Sequence, residues 1–468
     1  MDLIGVIMNA SEGLGVYRAQ VATTSHNIAN ANTPGYARQE AVPTETTPDE
    51  EIGINGYIGC GVALAGVTQA RDKFVETQIS VAFANSASSS AQSDALSTVS
   101  ALDPQGQGGI TDALGKFYSA LRDLNQNPGD MGLRQAVVQS AQSVSRAFNL
   151  AASSLASARG GIDQNVATLA DKTNSLLVSV ADLNRRISLA VNSGRNPNDL
   201  LDIRQNQLDQ LAQMIGTRPV PDGQGNVNVV LPDGTCLVSG IIASQLRVQA
   251  NTSNRGHYDL VFSPPDGSKA TALKGSELGG QIGGIIAARD QTLGTAQTNL
   301  DTLAYDFSSA INTQHALGFT LDGSPGNDMF ASLGTSLAAA TNLTVDSTLM
   351  ADPSLLAAAS SATSGPGDST NLQALIATES AKLTGGLDVQ QRMAKLTSDY
   401  GIAVNMVDDS ATFDKNLLAD LSSARESASG VSVDEELIHL TAAQTAYNAL
   451  TKVITTTSAM LDVLMKLI

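Results

Sequence analysis

The sequence predicts a mainly α-helical protein with a β-rich insertion. Its N- and C-terminal helices pair as a coiled-coil base, below a long helical rod domain and a smaller outer β domain. Three observations carry this. Both ends place apolar residues in alternating steps of four and three, a third stretch between 162 and 187 repeats the pattern, and turn dipeptides crowd residues 217–275 between short β-branched runs.

The first seam is Leu3, Ile7, Ala10, Leu14, Tyr17, Val21, Thr24 and Ile28. This spacing keeps one stripe of a helix against a partner helix. Asn32-Thr33-Pro34-Gly35-Tyr36 stops it: Pro34 pushes Thr33 out of the helical region, and Gly35 accepts the positive φ of a type II turn. Residues 37–68 read as extended, with a Val62-Ala63-Leu64 run, and helical periodicity then holds from Arg71 to Ile215. Its clearest part is Ile162, Val166, Leu169, Thr173, Leu176, Val180, Leu183 and Ile187. A helix over 162–191 is about 45 Å long at roughly 1.5 Å per residue, which suits a rod better than a globule. Gly160-Gly161 predicts a weak point or kink at its start.

Composition shifts at Gly216. Pro219, Pro221, Asp222-Gly223, Asp233-Gly234, Pro264-Pro265 and Asp266-Gly267 punctuate runs such as Val227-Asn228-Val229-Val230, a hairpin pattern. A helical block over 276–317 precedes a loop-rich stretch to Gly367, and helical periodicity returns from Leu372 to Ala428. Residues 352–370, rich in Ala, Ser, Gly and Pro, read as a mobile loop. Ser432 and Glu435 read as a capping box that opens the last helix. Its seam is Val433, Leu437, Leu440, Gln444, Tyr447, Thr451, Ile454, Ser458, Leu461, Met465 and Ile468. Free ends fray, so a seam running to the last residue predicts a tied C-terminus. The expected divisions are 1–36 with 430–468 as a terminal helical assembly domain, 37–215 with 276–317 and 370–429 as the rod, and 216–275 with 318–369 as the outer β-rich and loop domain.

Hydrophobic residues make up 42% of the 468, enough for a real core. Aromatics are 4% and Trp is absent, which argues against a module that stacks bases or sugars. With 27 basic against 45 acidic residues, nucleic acid and anionic membrane are poor partners. No apolar run approaches a membrane span, and the first residues lack a secretory signal, so any export is expected to read an unprocessed N-terminus. Cys60 and Cys236 have neither framework nor metal spacing and read as unpaired, mostly buried side chains.

His26, His257, His315 and His439 fall at no ligand spacing. Gly279-Gly280-Gln281-Ile282-Gly283-Gly284 lacks the residues of a phosphate loop and reads as a surface for close backbone approach. Asp322-Gly323-Ser324-Pro325-Gly326-Asn327-Asp328 lacks the closing Glu of a calcium loop and reads as a tight turn. No catalytic residue, cofactor or metal ligand is assigned, and the expectation is that the protein is not an enzyme.

Ser25-His26-Asn27-Ile28-Ala29-Asn30-Ala31-Asn32-Thr33-Pro34-Gly35-Tyr36 resembles the N-terminal signature of the axial proteins of the bacterial flagellum, the family of rod, hook and hook-associated proteins. The motif positions are Asn27, Ile28, Ala29, Asn30, Asn32, Thr33, Pro34, Gly35 and Tyr36; His26 stands where members usually show a second Asn. Asp434-Glu435-Glu436-Leu437, Ala443-Gln444-Thr445-Ala446-Tyr447, Lys452-Val453-Ile454 and Met460-Leu461-Asp462 resemble the C-terminal signature. Within the family, the interior resembles the hook-associated branch. The matches are Tyr36-Ala37-Arg38-Gln39, Arg71-Asp72-Lys73-Phe74, Asn198-Asp199-Leu200-Leu201-Asp202 with Arg204, Arg289-Asp290, Leu300-Asp301-Thr302-Leu303-Ala304 and Asn312-Thr313-Gln314-His315.

The resemblance implies a structural subunit joining hook to filament and required for filament attachment. It implies type III export without a cleaved signal peptide, then extracellular assembly at the distal hook end. The implied partners are copies of itself in a ring-like junction, hook protein, a filament-side hook-associated protein and a cytoplasmic export chaperone at the C-terminus. Burial of apolar seams at roughly 25 cal/mol per Å² makes Leu3, Ile7, Leu14, Tyr17, Val21, Ile28, Leu437, Leu440, Tyr447, Ile454, Leu461, Met465 and Ile468 the expected assembly interface. The alternative is a hook or rod subunit. The long helical middle separates the two, because hook and rod members are β-rich between short terminal helices.

Overall fold

A computed structural model describes residues 3–46, 49–50, 57–58, 61–99 and 108–467. Cys60 and Ile468 lie outside the described residues. In chain order, α1 (Leu3–Asn30) leads to an antiparallel ladder of β1 (Gln39–Glu45) with β4 (Val62–Gln69), beyond which β2 (Asp49–Glu50) pairs with β3 (Tyr57–Ile58). Then come α2 (Lys73–Ser97), α3 (Ile110–Gln126), α4 (Met131–Asn192) and α5 (Asn198–Ile215).

The β-rich insertion is a four-stranded antiparallel sheet of β5 (Arg218–Pro221), β6 (Val227–Val230), β7 (Cys236–Ser239) and β8 (Ile242–Ala243), followed by a three-stranded sheet of β9 (Gln245–Ala250), β10 (Tyr258–Ser263) and β11 (Thr271–Ala272). Helices α6 (Gly280–Ala287) and α7 (Gly294–Ala316) follow, joined by a π-helical turn. The short α8 (Ala339–Asn342), α9 (Ser347–Ala351) and α10 (Thr370–Ala377) precede the two last long helices, α11 (Val389–Ser429) and α12 (Val433–Leu467). The expected class, mainly helical with long terminal helices and a β-rich middle, is the observed one.

Helix α4 is the axis of the molecule. Asp130 caps it by accepting from the N–H groups of Gly132 and Leu133, and its 62 residues run about 93 Å. The expected weak point at Gly160-Gly161 is no break. The turns on either side bury Leu155, Ile162 and Val166, which outweighs the roughly 1 kcal/mol that glycine costs a helix relative to alanine.

Both sheets dock on the second half of α4 through side-chain amides. Asn174 donates to the Leu246 carbonyl and accepts from its N–H, each at 2.8 Å, and Asn184 does the same with Val227. Each asparagine continues a strand's hydrogen bonding onto the helix. In the π-helical turn, the fully buried Arg289 donates to Asp163 of α4 at 2.6 Å and to the Tyr258 carbonyl at 2.7 Å.

Residues 318–369 dock instead on the first half of α4. Arg134 donates to the Leu356 carbonyl at 2.6 Å, and Asn149 to the carbonyls of Ala340 and Thr341. The stations at Asn149 and Asn174 are about 38 Å apart along the helix. The mobile loop expected at 352–370 is corrected by the same contacts: Leu356, Ala357, Ala358 and Ala359 are buried and Ala359 pairs with Phe319. Asp322 and Gly323 make the expected tight turn, with Gly323 at φ +83° and Asp322 accepting from Ser324 N–H at 3.0 Å. The glycine run at 279–284 allows the expected close approach: a Cβ on Gly284 would come within 2.0 Å of the Ser88 carbonyl oxygen of α2.

His315, at the end of α7, is buried in this region. It donates through Nδ1 to the Asn327 carbonyl and accepts at Nε2 from Ala357 N–H at 2.9 Å. Burial holds its pKa below the ordinary value, so the folded chain keeps it neutral. The unfolded chain takes up that proton as pH falls through about 6.5, which favours unfolding. Urea melts at pH 7.5 and 5.5 are therefore expected to show a larger acid loss of stability for the native chain than for His315→Gln. Equal losses would remove His315 from the account.

Candidate assembly surface at the paired termini

Helices α1 and α12 lie antiparallel. Asn27 meets Glu436 near one end, and a Cβ on Gly13 would come within 2.9 Å of Leu450 nearer the other. The centre of the contact is made of small and polar residues: Ala10, Gly13, Val16, Thr24 and Asn27 on α1, and Glu436, Ala443 and Thr457 on α12, are buried. Of the expected interface residues, Leu3, Ile7, Leu14, Tyr17, Val21 and Ile28 flank this line, half-buried, as do Leu440, Ile454 and Leu461. Leu437, Tyr447 and Met465 are exposed.

Helix α12 also presents a second apolar stripe. At 100° per residue, Ile438 and Val463 fall about 140° and 160° from Ala443, and Val453 and Met460 about 80° and 100° from it, and all four are exposed. Leu437, Ile438, Ala442, Ala446 and Ala449 line a shallow apolar groove along it.

The family-type motif forms a polar clasp where the helix pair meets the rod. Asn27 is 1% exposed, and its amide is fully used. Nδ2 donates to the Gln39 carbonyl (2.9 Å) and to Glu436 Oε2 (3.0 Å), while Oδ1 accepts from Gln39 N–H (3.0 Å) and the Tyr36 hydroxyl (2.8 Å). The other Glu436 oxygen accepts from Arg38 Nε at 2.7 Å, which raises the arginine's pKa. Tyr36 also contacts His26 Nδ1 at 3.0 Å. Burial, then the nearby charges of Asp202, Asp199 and Glu436, push its hydroxyl pKa up, so it stays a donor.

Of the remaining motif residues, Asn30 donates to the His26 carbonyl and accepts from Thr33. Gly35 takes the expected positive φ of +77° after Pro34. Ile28 is half-buried, and Ala29 and Asn32 are exposed.

From the clasp the network runs into the rod. Gln39 Nε2 donates to Asp199 Oδ1 at 3.1 Å. Arg71 bridges the Gly35 carbonyl, Glu76 and Asp202. Arg425, near the end of α11, holds both Glu76 of α2 and Asp209 of α5. Burial raises the pKa of Asp202 and of Asp209. The roles of Glu76, Asp209, Arg425 and Glu436 were not singled out from the sequence. Glu436 lies in Asp434-Glu435-Glu436-Leu437, read from the sequence only as part of the C-terminal signature, and the fold brings its partners Asn27 and Arg38 to it.

Among the described residues, no group of three or more His, Cys, Asp or Glu is placed to hold a metal ion, and no helix is long and apolar enough to cross a membrane. Cys236 is unpaired and half-buried.

Comparison with known proteins agrees with this geometry. Residues 96–330 match the family described as "Flagellar hook-associated protein FlgK helical domain". Residues 7–36 match "Flagella basal body rod protein", and 423–467 match "Flagellar basal body rod FlgEFG protein C-terminal". Flagellar hook-associated protein 1 of Escherichia coli is 26% identical over 99% of both chains. The protein of that name in Bacillus subtilis is 27% identical over 97% of this chain and 96% of its own. A solved structure titled as the flagellar hook junction protein FlgK from Burkholderia pseudomallei shares the fold, with a TM-score of 0.67 at 18% identity over 75% of this chain and all of that one. With half of its length matched by the helical domain and both ends by rod-protein families, the chain belongs to the flagellar hook-associated protein family, whose members are structural components of the bacterial flagellum and not enzymes.

Proposed function

We propose that the chain is the junction subunit that joins hook to filament, assembling through its terminal helices, 1–36 with 430–468, as a unit distinct from the rod. The observation that carries this reading is the two-faced α12. One stripe is spent on α1, while Ile438 and Val463 on the far side, and Met460 between the two, remain exposed. A helix apolar on two sides belongs between two layers, and further subunits supply the second layer. In this reading Leu440, Ile454 and Leu461 hold the pair together within a subunit, while Leu437, Tyr447 and Met465 meet neighbours. Those neighbours are copies of the chain in a ring, hook protein below and a filament-side hook-associated protein above. The names of the relatives support the same position.

The chain reaches that position by type III export, largely unfolded and without a cleaved signal, so that it ends outside the cell. Before export, a cytoplasmic chaperone covers the apolar face of the C-terminal helix, which would otherwise invite self-association.

The test is a deletion strain viewed by electron microscopy. Hooks lacking filaments, with filament protein lost to the medium, are the expected result, and the native gene restores attachment. Leu461→Asp, which puts a charge into an apolar contact at a cost of several kcal/mol, is expected to be exported but not to restore filaments. Normal filaments on the deletion strain would refute the junction role. Normal rescue by Leu461→Asp would refute the terminal interface.

A further inference from the structure

Between α2 and the middle of α4 lies an open trough of about 1000 Å³, floored by Ile285 of α6. Its walls match in length: Phe83 of α2 to its C-cap Thr98, and Ser157 to Lys172 on α4, each about 22 Å at roughly 1.5 Å per residue. The walls are built largely of small residues, with Ala87, Ala91 and Ala95 on one side and Ala158 and Gly161 on the other. None of these is fully buried. A Cβ on Gly161 would meet nothing within 4 Å. Nothing inside the subunit calls for a glycine there, although it costs the helix about 1 kcal/mol relative to alanine.

A ridge of the same length stands on α11. Ile402, Met406, Phe413 and Leu417 are 55%, 66%, 67% and 38% exposed, and their spacing puts them on one face. From 402 to 417 the row is also about 22 Å long. Two pairs of large apolar side chains in water, Ile402 with Met406 and Phe413 with Leu417, separated on the same face by the exposed Asp409 and Ser410, mark an interaction surface. The ridge does not serve its own trough. Leu418 lines the trough, and Phe413 points about 140° away from Leu418 around the helix axis at 3.6 residues per turn. Two different, complementary patches on one molecule make a head-to-tail contact, which closes into a ring when the rotation allows.

We propose that the α11 ridge of one subunit docks into the α2–α4 trough of the next copy of this chain. Large side chains enter a trough walled by small ones, over equal lengths. The exposed Asp420, one turn beyond Leu417 on the ridge face, and Lys172 at the end of the trough supply opposite charges at the ends of the contact. The inference deepens the junction reading and rests on it, because the ring provides the neighbour.

The test is disulfide trapping in hook particles isolated from cells, with Cys60 and Cys236 replaced by Ser. A chain carrying both Ser90→Cys, in the trough, and Met406→Cys, on the ridge, is expected to give a ladder of multimers on a non-reducing gel. Neither single variant should do so. Adding Phe413→Glu should cut the ladder at least tenfold. Adding Leu150→Glu, at an equally exposed apolar residue of α4 away from the trough, should leave it unchanged, and an equal loss would overturn the proposal. If the chain is present in particles that carry filaments and no ladder forms, the docking is wrong and the junction reading stands. If the chain is missing from the particles, the junction reading fails and takes the docking with it.

Discussion

Replacing Asn27 with Leu is expected to release the terminal helix pair from the rod, at a cost of about 4 kcal/mol from several buried polar groups that each lose a partner. Leu has nearly the same size, so little packing is lost. What is lost is all the hydrogen bonding that converges on one amide: the Gln39 N–H and carbonyl, the Tyr36 hydroxyl and one Glu436 oxygen. Glu436 is the costliest of these, because it is a buried carboxylate left with Arg38 alone. The loss is local, since the core along α4 lies elsewhere. Hydrogen exchange should therefore speed up in residues 3–30 and 433–467 while α4 keeps its protection. Unchanged exchange in the terminal helices would show that the clasp does not hold them.

Phe307→Ala is expected to cost 3–5 kcal/mol of global stability, the usual range for deleting a fully buried aromatic ring. Phe307 is 2% exposed and sits among three other rings, with centroids 6.0 Å from Phe117, 6.3 Å from Phe148 and 5.4 Å from Phe330. These come from α3, α4 and the segment after α7, so one truncation opens a cavity that several elements share. Denaturant melts should show a lower midpoint with an unchanged slope. The comparison variant Phe413→Ala, on the exposed ridge, should stay within about 0.5 kcal/mol of the native chain. Similar midpoints for the two variants would mean that the aromatic cluster is not the core of the rod.

The terminal helices were legible because a seven-residue repeat survives in the sequence whatever the partner. Their register was not. Helix α12 carries apolar residues on two faces, and the contact with α1 runs through Ala443 and Thr457, which no hydrophobic count selects. The motif from Asn27 to Tyr36 was legible as a resemblance, but its partner Glu436 lies 409 residues away, beyond any local pattern. The stretch 352–370 reads as loose because Ala, Ser, Gly and Pro carry little intrinsic preference. Tertiary contacts decide there: Arg134 holds the Leu356 carbonyl, and His315 holds Ala357 N–H. Gly160-Gly161 misled in the same way, since propensity is weak against a helix packed on both sides of the pair.

Helix α4 has a mechanical consequence. The β-rich insertion hangs on it near Asn174 and Asn184, and the 318–369 segment near Arg134 and Asn149. A load applied between those two parts is therefore shared between α4 and the α6–α7 segment, whose π-helical turn holds Tyr258 through Arg289 and whose end holds Ala357 through His315. Stretching or twisting α4 loads its hydrogen bonds in series, and Gly160-Gly161, continuous with the rest of the helix, is the one place on it where two adjacent residues carry no side chain. A Cβ on either glycine would meet nothing within 4 Å, so replacing both with alanine is expected to stiffen α4 there without touching either of the parts it carries.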